Sequence, residues 1–296
     1  MIRYLYLGRV AYDEALRLQA ELVELRLQGR VDNTLLLLEH PPVLTLGRNA
    51  NRSNILASDA LLASRGVTLH EINRGGDVTY HGPGQLVGYP IFDLRSLRNP
   101  GSATRLGPVD FVRLMEEALI RVCEVYGVPA GRICGLTGIW CPPVGSPLDE
   151  SCAAMDRDNP CGERKIGAIG IHVSRGITSH GFAFNVTTDL HDFELINPCG
   201  ITNRSVTSLK NEILAREAPQ STATEALPSL EAIAHEAARQ FGLVFNQQIL
   251  AVEGLAALRA QPASAPLPTF PAQDTPLQVP PEVERLAHTK DRPIAV

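Results

Sequence analysis

The 296-residue chain sets 27 lysines and arginines against 32 acidic residues, and a net charge of -5 argues against nucleic acid as a main partner, since such binding needs a basic footprint. An apolar fraction of 44% with 20% charged residues describes a globular protein able to bury a large core. No apolar run approaches the roughly 20 residues that span a bilayer, and MIRYLYLGRV at the start lacks a signal-peptide cleavage pattern, so a cytoplasmic protein is expected.

From Asp13 to Gln28 the apolar residues Ala15, Leu18, Leu22 and Leu25 recur at helical spacing, and Gly29 is placed to stop that helix. TLLLLEH reads as a buried strand ended by Pro41 and Pro42, VLTLG as a second strand, and ASDALLASRG as a short helix closed by Gly66. VTLHEI is a strand that delivers the chain into RGGDVTYHGPGQ, read as a loop, and LVGYPIFDL is the strand that takes it away. Pro108 opens a long amphipathic helix with Phe111, Leu114, Met115, Ala118 and Val122 on its apolar side and Gly127 beyond its end.

TGIW follows as a short strand, and residues 141–164 read as a mobile polar insertion rich in proline and glycine. KIGAIGIHVSRGITSHGFAFNV alternates and turns at Arg175 and Gly176, the pattern of a β-hairpin. Ser229 caps a helix from Leu230 to Phe241 that Gly242 ends, and the proline-rich residues 260–296 are expected to be a disordered tail. Helices and strands mix without regular alternation. The expectation is an α+β single domain around a mixed β-sheet with flanking helices, over residues 1–250.

RGGDVTYHGPGQ carries no phosphate-binding fingerprint, so its glycines call for another explanation: a ligand close to the backbone, or tight turns. Six cysteines spread over so long a chain do not form a disulfide framework, and the spacing of Cys141, Cys152 and Cys161 is a poor match to a zinc site, so reduced thiols and no metal are expected. Cys199 stands apart, held between Pro198 and Gly200 in a rigid turn that suits a presented nucleophile. A thiol with an ordinary pKa of about 8.5 needs a base or cation beside it, and Lys165, His81, His172 and His180 are the candidates that spacing alone leaves open.

RGGDVTYHGPGQLVGYPIFDL, then KIGAIGIHV with HGFAFNV, then NPCGI with VTSL, in that order, resemble the octanoyltransferase family of lipoate biosynthesis over roughly residues 4–245. The resemblance implies the catalytic fold of the biotin and lipoate protein ligases. It also implies an acyltransferase without a cofactor, which takes octanoyl from octanoyl-acyl carrier protein onto a cysteine and passes it to the target lysine of apo lipoyl domains. Those domains belong to 2-oxoacid dehydrogenase complexes and the glycine cleavage H protein.

On that resemblance the acyl-thioester cysteine falls on Cys199, and the lysine that tunes the thiol and shuttles protons falls on Lys165. The acyl-binding segments fall on Arg74, Gly75, Gly76, Asp77, Val78, Thr79, Tyr80 and His81, on Ala168, Ile169 and Gly170, and on Gly181, Phe182 and Ala183. A locally basic rim for the acidic carrier is expected from Arg48, Arg52, Arg74, Arg164 and Arg175. The insertion at 141–164 and the tail after residue 260 depart from the family pattern. Two rivals are an ATP-dependent lipoate or biotin ligase, whose characteristic loops differ from RGGDVTYHGPG, and a silent protein that only docks acyl carrier protein.

Overall fold

The computed structural model describes residues 1–102, 104–144, 162–197, 204–216 and 228–259. Cys199, most of the insertion and residues 260–296 lie outside the described residues.

In chain order, β1 (Ile2–Arg9), α1 (Tyr12–Leu27), β2 (Asn33–Glu39) and β3 (Val43–Leu46) are followed by α2 (Asp59–Ser64), β4 (Thr68–Glu71), β5 (Val78–His81) and β6 (Gln85–Ile91). Then come α3 (Pro108–Val125), β7 (Gly131–Ile133), β8 (Leu136–Cys141), β9 (Arg164–Ser174) and β10 (Ile177–Asn185). The described chain closes with β11 (Ser205–Val206), α4 (Leu209–Arg216), α5 (Leu230–Val244), β12 (Ile249–Ala251) and α6 (Leu255–Arg259). None of these helices is long and apolar enough to cross a membrane.

Among the described residues the main sheet runs β12-β1-β2-β6-β10-β9-β8-β7, with β11 alongside β9, and β4-β3-β5 form a second, small sheet. The main sheet is mixed: β1 is parallel to β2 and β12, whereas β2, β6, β10, β9 and β8 pair antiparallel. β2 shows why its sequence is an unbroken apolar run. Leu35 and Leu37 enter the core under α3 and α5 while Leu36 and Leu38 enter the core under α1, so both faces are buried.

The β9–β10 hairpin is the scaffold of the site. Its two-residue turn places Arg175 at φ 51° and Gly176 at φ 83°, the left-handed pair whose twist matches the strands it joins. β9 begins beyond the reach of β10, and there β8 and β11 flank it: Trp140 and Val206 both pair with Lys165. Below β8, the buried Glu116 accepts from the Gly138 N–H at 2.9 Å and from Arg113 and Arg132, which fixes the strand to α3.

Three sequence expectations change. Val78–His81 is a strand rather than loop, because its backbone pairs with β3 and its alternate side chains, Val78 and Tyr80, join the apolar cluster of Leu44, Leu62 and Phe193. α5 continues through Gly242 to Val244; a Cβ at that glycine would lie 3.1 Å from Ile249, so the residue serves close packing rather than termination. Cys141 and Arg164 belong to β8 and β9, strand partners of each other.

Candidate active site

Between the hairpin and the small sheet lies a narrow, mainly apolar cleft. One wall is β9 and β10 at Ala168, Ile169, Gly170, Gly181, Phe182 and Ala183; the other is Arg74, Gly75, Gly76, Thr79 and His81. The glycines have a direct cause. A Cβ at Gly170 would stand 2.6 Å from the Gly75 carbonyl oxygen, and one at Gly181 would stand 2.1 Å from that of Gly88. The loop lies on the hairpin backbone to backbone, tied by the Gly75 N–H donating to the Ile171 carbonyl at 2.9 Å.

Asp77, Val78 and Tyr80 point elsewhere. The Asp77 carboxylate accepts from the Asn51 N–H at 3.0 Å and from the Asn54 side-chain amide, which ties down the loop after β3. The Tyr80 hydroxyl donates to Asp192 at 2.5 Å. Arg74 is no rim residue: it is buried, and its guanidinium donates to the Thr45 carbonyl at 2.8 Å, the Thr45 hydroxyl at 2.9 Å and the Gly75 carbonyl at 3.0 Å. Arg164 pairs with Glu212 at 2.8 Å, and Arg175 with Glu24 at 3.3 Å.

A second, small hollow adjoins the cleft, sharing Thr79, Ala168 and Ala183 with it. Lys165, buried to 8% exposure, lines it together with Gln85, Asn185 and Val206. The lysine Nζ stands 5.0 Å from the centre of the Trp140 ring, a cation–π distance. Gly138 leaves room for the lysine stem, because a Cβ there would lie 2.8 Å from its Cε. An apolar cleft thus opens directly onto a buried amine.

A chain of hydrogen bonds runs beside both hollows. Gln85 donates through its amide nitrogen to the Tyr80 carbonyl at 3.1 Å and to Asn185 Oδ1 at 2.9 Å, and Asn185 donates to the Thr207 carbonyl at 2.9 Å. Gln85 Oε1 is left to accept from His81 Nδ1 at 2.8 Å, which assigns the ring proton to Nδ1 and leaves Nε2 an acceptor. Burial is the main force that lowers His81 to about 3 and His180 to about 4, and the same burial, with a smaller contribution from Arg48, lowers His172. These imidazoles stay neutral near pH 7, and such low basicity makes His81 and His180 weak general bases. His180 also holds φ at 56° within a strand, a conformation costly for a bulky residue and secured by its N–H donating to Gln19 Oε1 at 2.8 Å.

Residues 11–229 match the family model described as the lipoyl protein ligase A/B catalytic domain. An octanoyltransferase of Acidobacterium capsulatum is 56% identical over 253 residues, covering 86% of this chain and 94% of that protein. One of Koribacter versatilis is 48% identical over 266 residues, covering 90% and 93%. The chain belongs to the octanoyltransferase family. It is therefore an acyltransferase of lipoate biosynthesis. The fold agrees with a bipartite lipoate protein ligase of Thermoplasma acidophilum, whose structure superposes with a TM-score of 0.55 over 85% of this chain and 88% of that one at 18% identity.

In this octanoyltransferase relative the fold brings together Lys165, Thr79 and His81 with the glycines of three separate segments. Six further residues of the two hollows were not read as site residues: Tyr12, Tyr89, Gln85, Asn185, Phe193 and Val206. Tyr12 starts a helix and Tyr89 sits in an apolar strand, so both read as core. Gln85 does lie within the glycine-rich motif, and its polar side chain next to an apolar strand was the one usable signal.

Because backbone cannot yield as a flexible side chain can, Gly170→Ala is expected to push the glycine loop off the hairpin. The expected cost is about 1–3 kcal/mol of stability together with a loss of transfer activity. Thermal denaturation and kcat/KM measured on the same sample test this. Wild-type values for both would mean that the close approach carries no weight.

Proposed function

We propose that this acyltransferase moves an octanoyl group from octanoyl-acyl carrier protein to Cys199 as a thioester, and from there to the lysine amine of an apo lipoyl domain. The observation that carries the reading is the junction of an apolar cleft with the Lys165 hollow, at the place where β11 joins β9. Val206, which pairs with Lys165, follows Cys199 by seven positions, a reach of at most about 25 Å, so chain connectivity permits the cysteine to approach the lysine. The names of the relatives supply the eight-carbon acyl group.

The chemistry follows in two balanced steps. The Cys199 thiolate attacks the thioester carbonyl, and the tetrahedral oxyanion collapses by expelling the carrier thiolate, which takes up a proton. The amine of the lipoyl lysine then attacks the new thioester, loses a proton and expels the Cys199 thiolate. Oxyanions of this kind are stabilised by fixed N–H donors. Lys165 serves both steps: its charge favours the thiolate, and its amine exchanges the proton, a duty for which the neutral, weakly basic His81 and His180 are poorly suited.

The test is incubation of the purified protein with octanoyl-acyl carrier protein and no ATP, followed by intact mass and peptide mapping. One octanoyl group on Cys199 is expected. No adduct, with a lipoyl domain modified only when ATP and free acid are supplied, would replace this reading with that of a ligase.

A further inference from the structure

Thr79, Ala168 and Ala183 are common to the apolar cleft and the Lys165 hollow, so they mark the place where the two meet. The alanines bring no polar side-chain atom. Thr79 brings a hydroxyl, and strand alternation aims it. Val78 and Tyr80 turn into the apolar cluster around Leu44 and Phe193, so Thr79 and His81 turn the other way, into the cleft.

That hydroxyl is without a partner. Thr79 is only 7% exposed, yet among the described residues its Oγ1 neither donates nor accepts a hydrogen bond. The partnerless side-chain atoms sealed in the interior of the described residues are Arg3 Nη1, Gln19 Nε2 and Trp140 Nε1, so Oγ1 is not sealed: it faces the hollows that Thr79 lines. Its cross-strand neighbour Thr45 is turned to Arg74, accepting from the guanidinium at 2.9 Å. Gln85 commits both its N–H bonds to the Tyr80 carbonyl and to Asn185. His81 keeps its ring proton on Nδ1 for Gln85 and presents only an acceptor to the cleft. A buried hydroxyl left unpaired carries a free-energy cost, and a ligand atom that accepts from it would remove that cost.

We infer that the Thr79 hydroxyl is a catalytic hydrogen-bond donor to the carbonyl oxygen of the acyl thioester. The inference rests on the proposed acyl-transfer reading and deepens it by assigning an atom to the reacting oxygen. With the acyl chain in the apolar cleft and the sulfur on the Lys165 side, the carbonyl falls at the junction that Thr79 walls. As the thiolate adds, a C=O electron pair moves onto oxygen. The hydroxyl keeps its proton and donates more strongly to the growing oxyanion than to the neutral carbonyl, which lowers the barrier. Collapse returns the pair to the C–O bond and expels the carrier thiolate. The same donor serves the second transfer, to the lipoyl lysine.

The experiment compares wild type, Thr79→Val and Thr79→Ser in single-turnover reactions with octanoyl-acyl carrier protein and then with an apo lipoyl domain, alongside thermal denaturation. Thr79→Val exchanges the hydroxyl for a methyl of similar size. Both transfer rates should fall about 10²–10³-fold, the scale of losing one oxyanion donor, with little change in the carrier concentration that half-saturates the first. Thr79→Ser should keep most of the rate. Stability separates a catalytic hydroxyl from a structural one: loss of an unpaired buried hydroxyl should leave Thr79→Val with a Tm at or above the wild-type value. Wild-type rates in Thr79→Val, or rates lost in step with a lowered Tm, would overturn the inference. So would an equal loss in Thr79→Ser. A wild type that accepts no octanoyl group would instead defeat the transfer reading itself.

Discussion

Cys199→Ala is expected to yield no octanoyl adduct at all, and no transfer to a lipoyl domain. A thioester intermediate needs a thiolate, which alanine cannot supply. The other cysteines among the described residues make poor substitutes on physical grounds; Cys152 and Cys161 lie outside those residues. Cys123 and Cys141 are buried in the core, where desolvation raises the thiol of Cys123 far above its ordinary value and that of Cys141 to about 12. Cys134 is exposed in the turn between β7 and β8, outside both hollows. Cys134→Ala is therefore the fitting control and should be acylated at the wild-type rate. The measurement is intact mass after a single exposure to octanoyl-acyl carrier protein, with a peptide map to place the group. A stoichiometric adduct that survives Cys199→Ala would remove the cysteine from its proposed role.

Much of this fold is written locally. The hairpin was legible because its sequence alternates and because Arg175 and Gly176 supply a favoured two-residue turn for antiparallel strands. The long helix α3 announced itself through Pro108 and its apolar stripe. β5 did not, since four residues between glycines carry little pattern, and its partner β3 lies more than thirty positions earlier. β1 was weighed only as a leader sequence, yet it is the parallel partner of both β2 and β12, strands 31 and 247 positions further along the chain at its first residue.

The site divides in the same way. Motifs named Lys165 and the glycine-rich walls, because chemistry and close backbone approach leave a mark in residue type. They also named Val78 and Tyr80, which strand alternation turns away from the cleft, and Asp77, which lies before the strand and is engaged by Asn51 and Asn54, facts that a motif treated as a continuous loop could not register. The Gln85–Asn185 contact joins residues 100 positions apart, and Tyr12 reaches the cleft from a helix far from every motif. Residues that act by long-range juxtaposition are silent in a single sequence.

Lys165 offers the sharper test, because its two proposed tasks can be separated. Lys165→Ala removes both the cation and the proton acceptor, and acyl-enzyme formation should slow by about 10²–10⁴-fold, the usual scale of acid–base assistance. Lys165→Arg keeps the cation but not the base, as a guanidinium stays protonated throughout the working range. If charge activates the thiol and the amine exchanges the proton, arginine should restore part of the first half-reaction and little of the second. Single-turnover mass measurements resolve the two: octanoyl arriving on the enzyme, and octanoyl leaving for the lipoyl domain. Arginine that supports both at near wild-type rates would confine the residue to electrostatics and require a proton acceptor elsewhere. Full activity in Lys165→Ala would remove it from the chemistry. The ring of Trp140, 5.0 Å from Nζ, is the reason to expect partial rescue, since a guanidinium stacks on an indole face at least as well as an ammonium does.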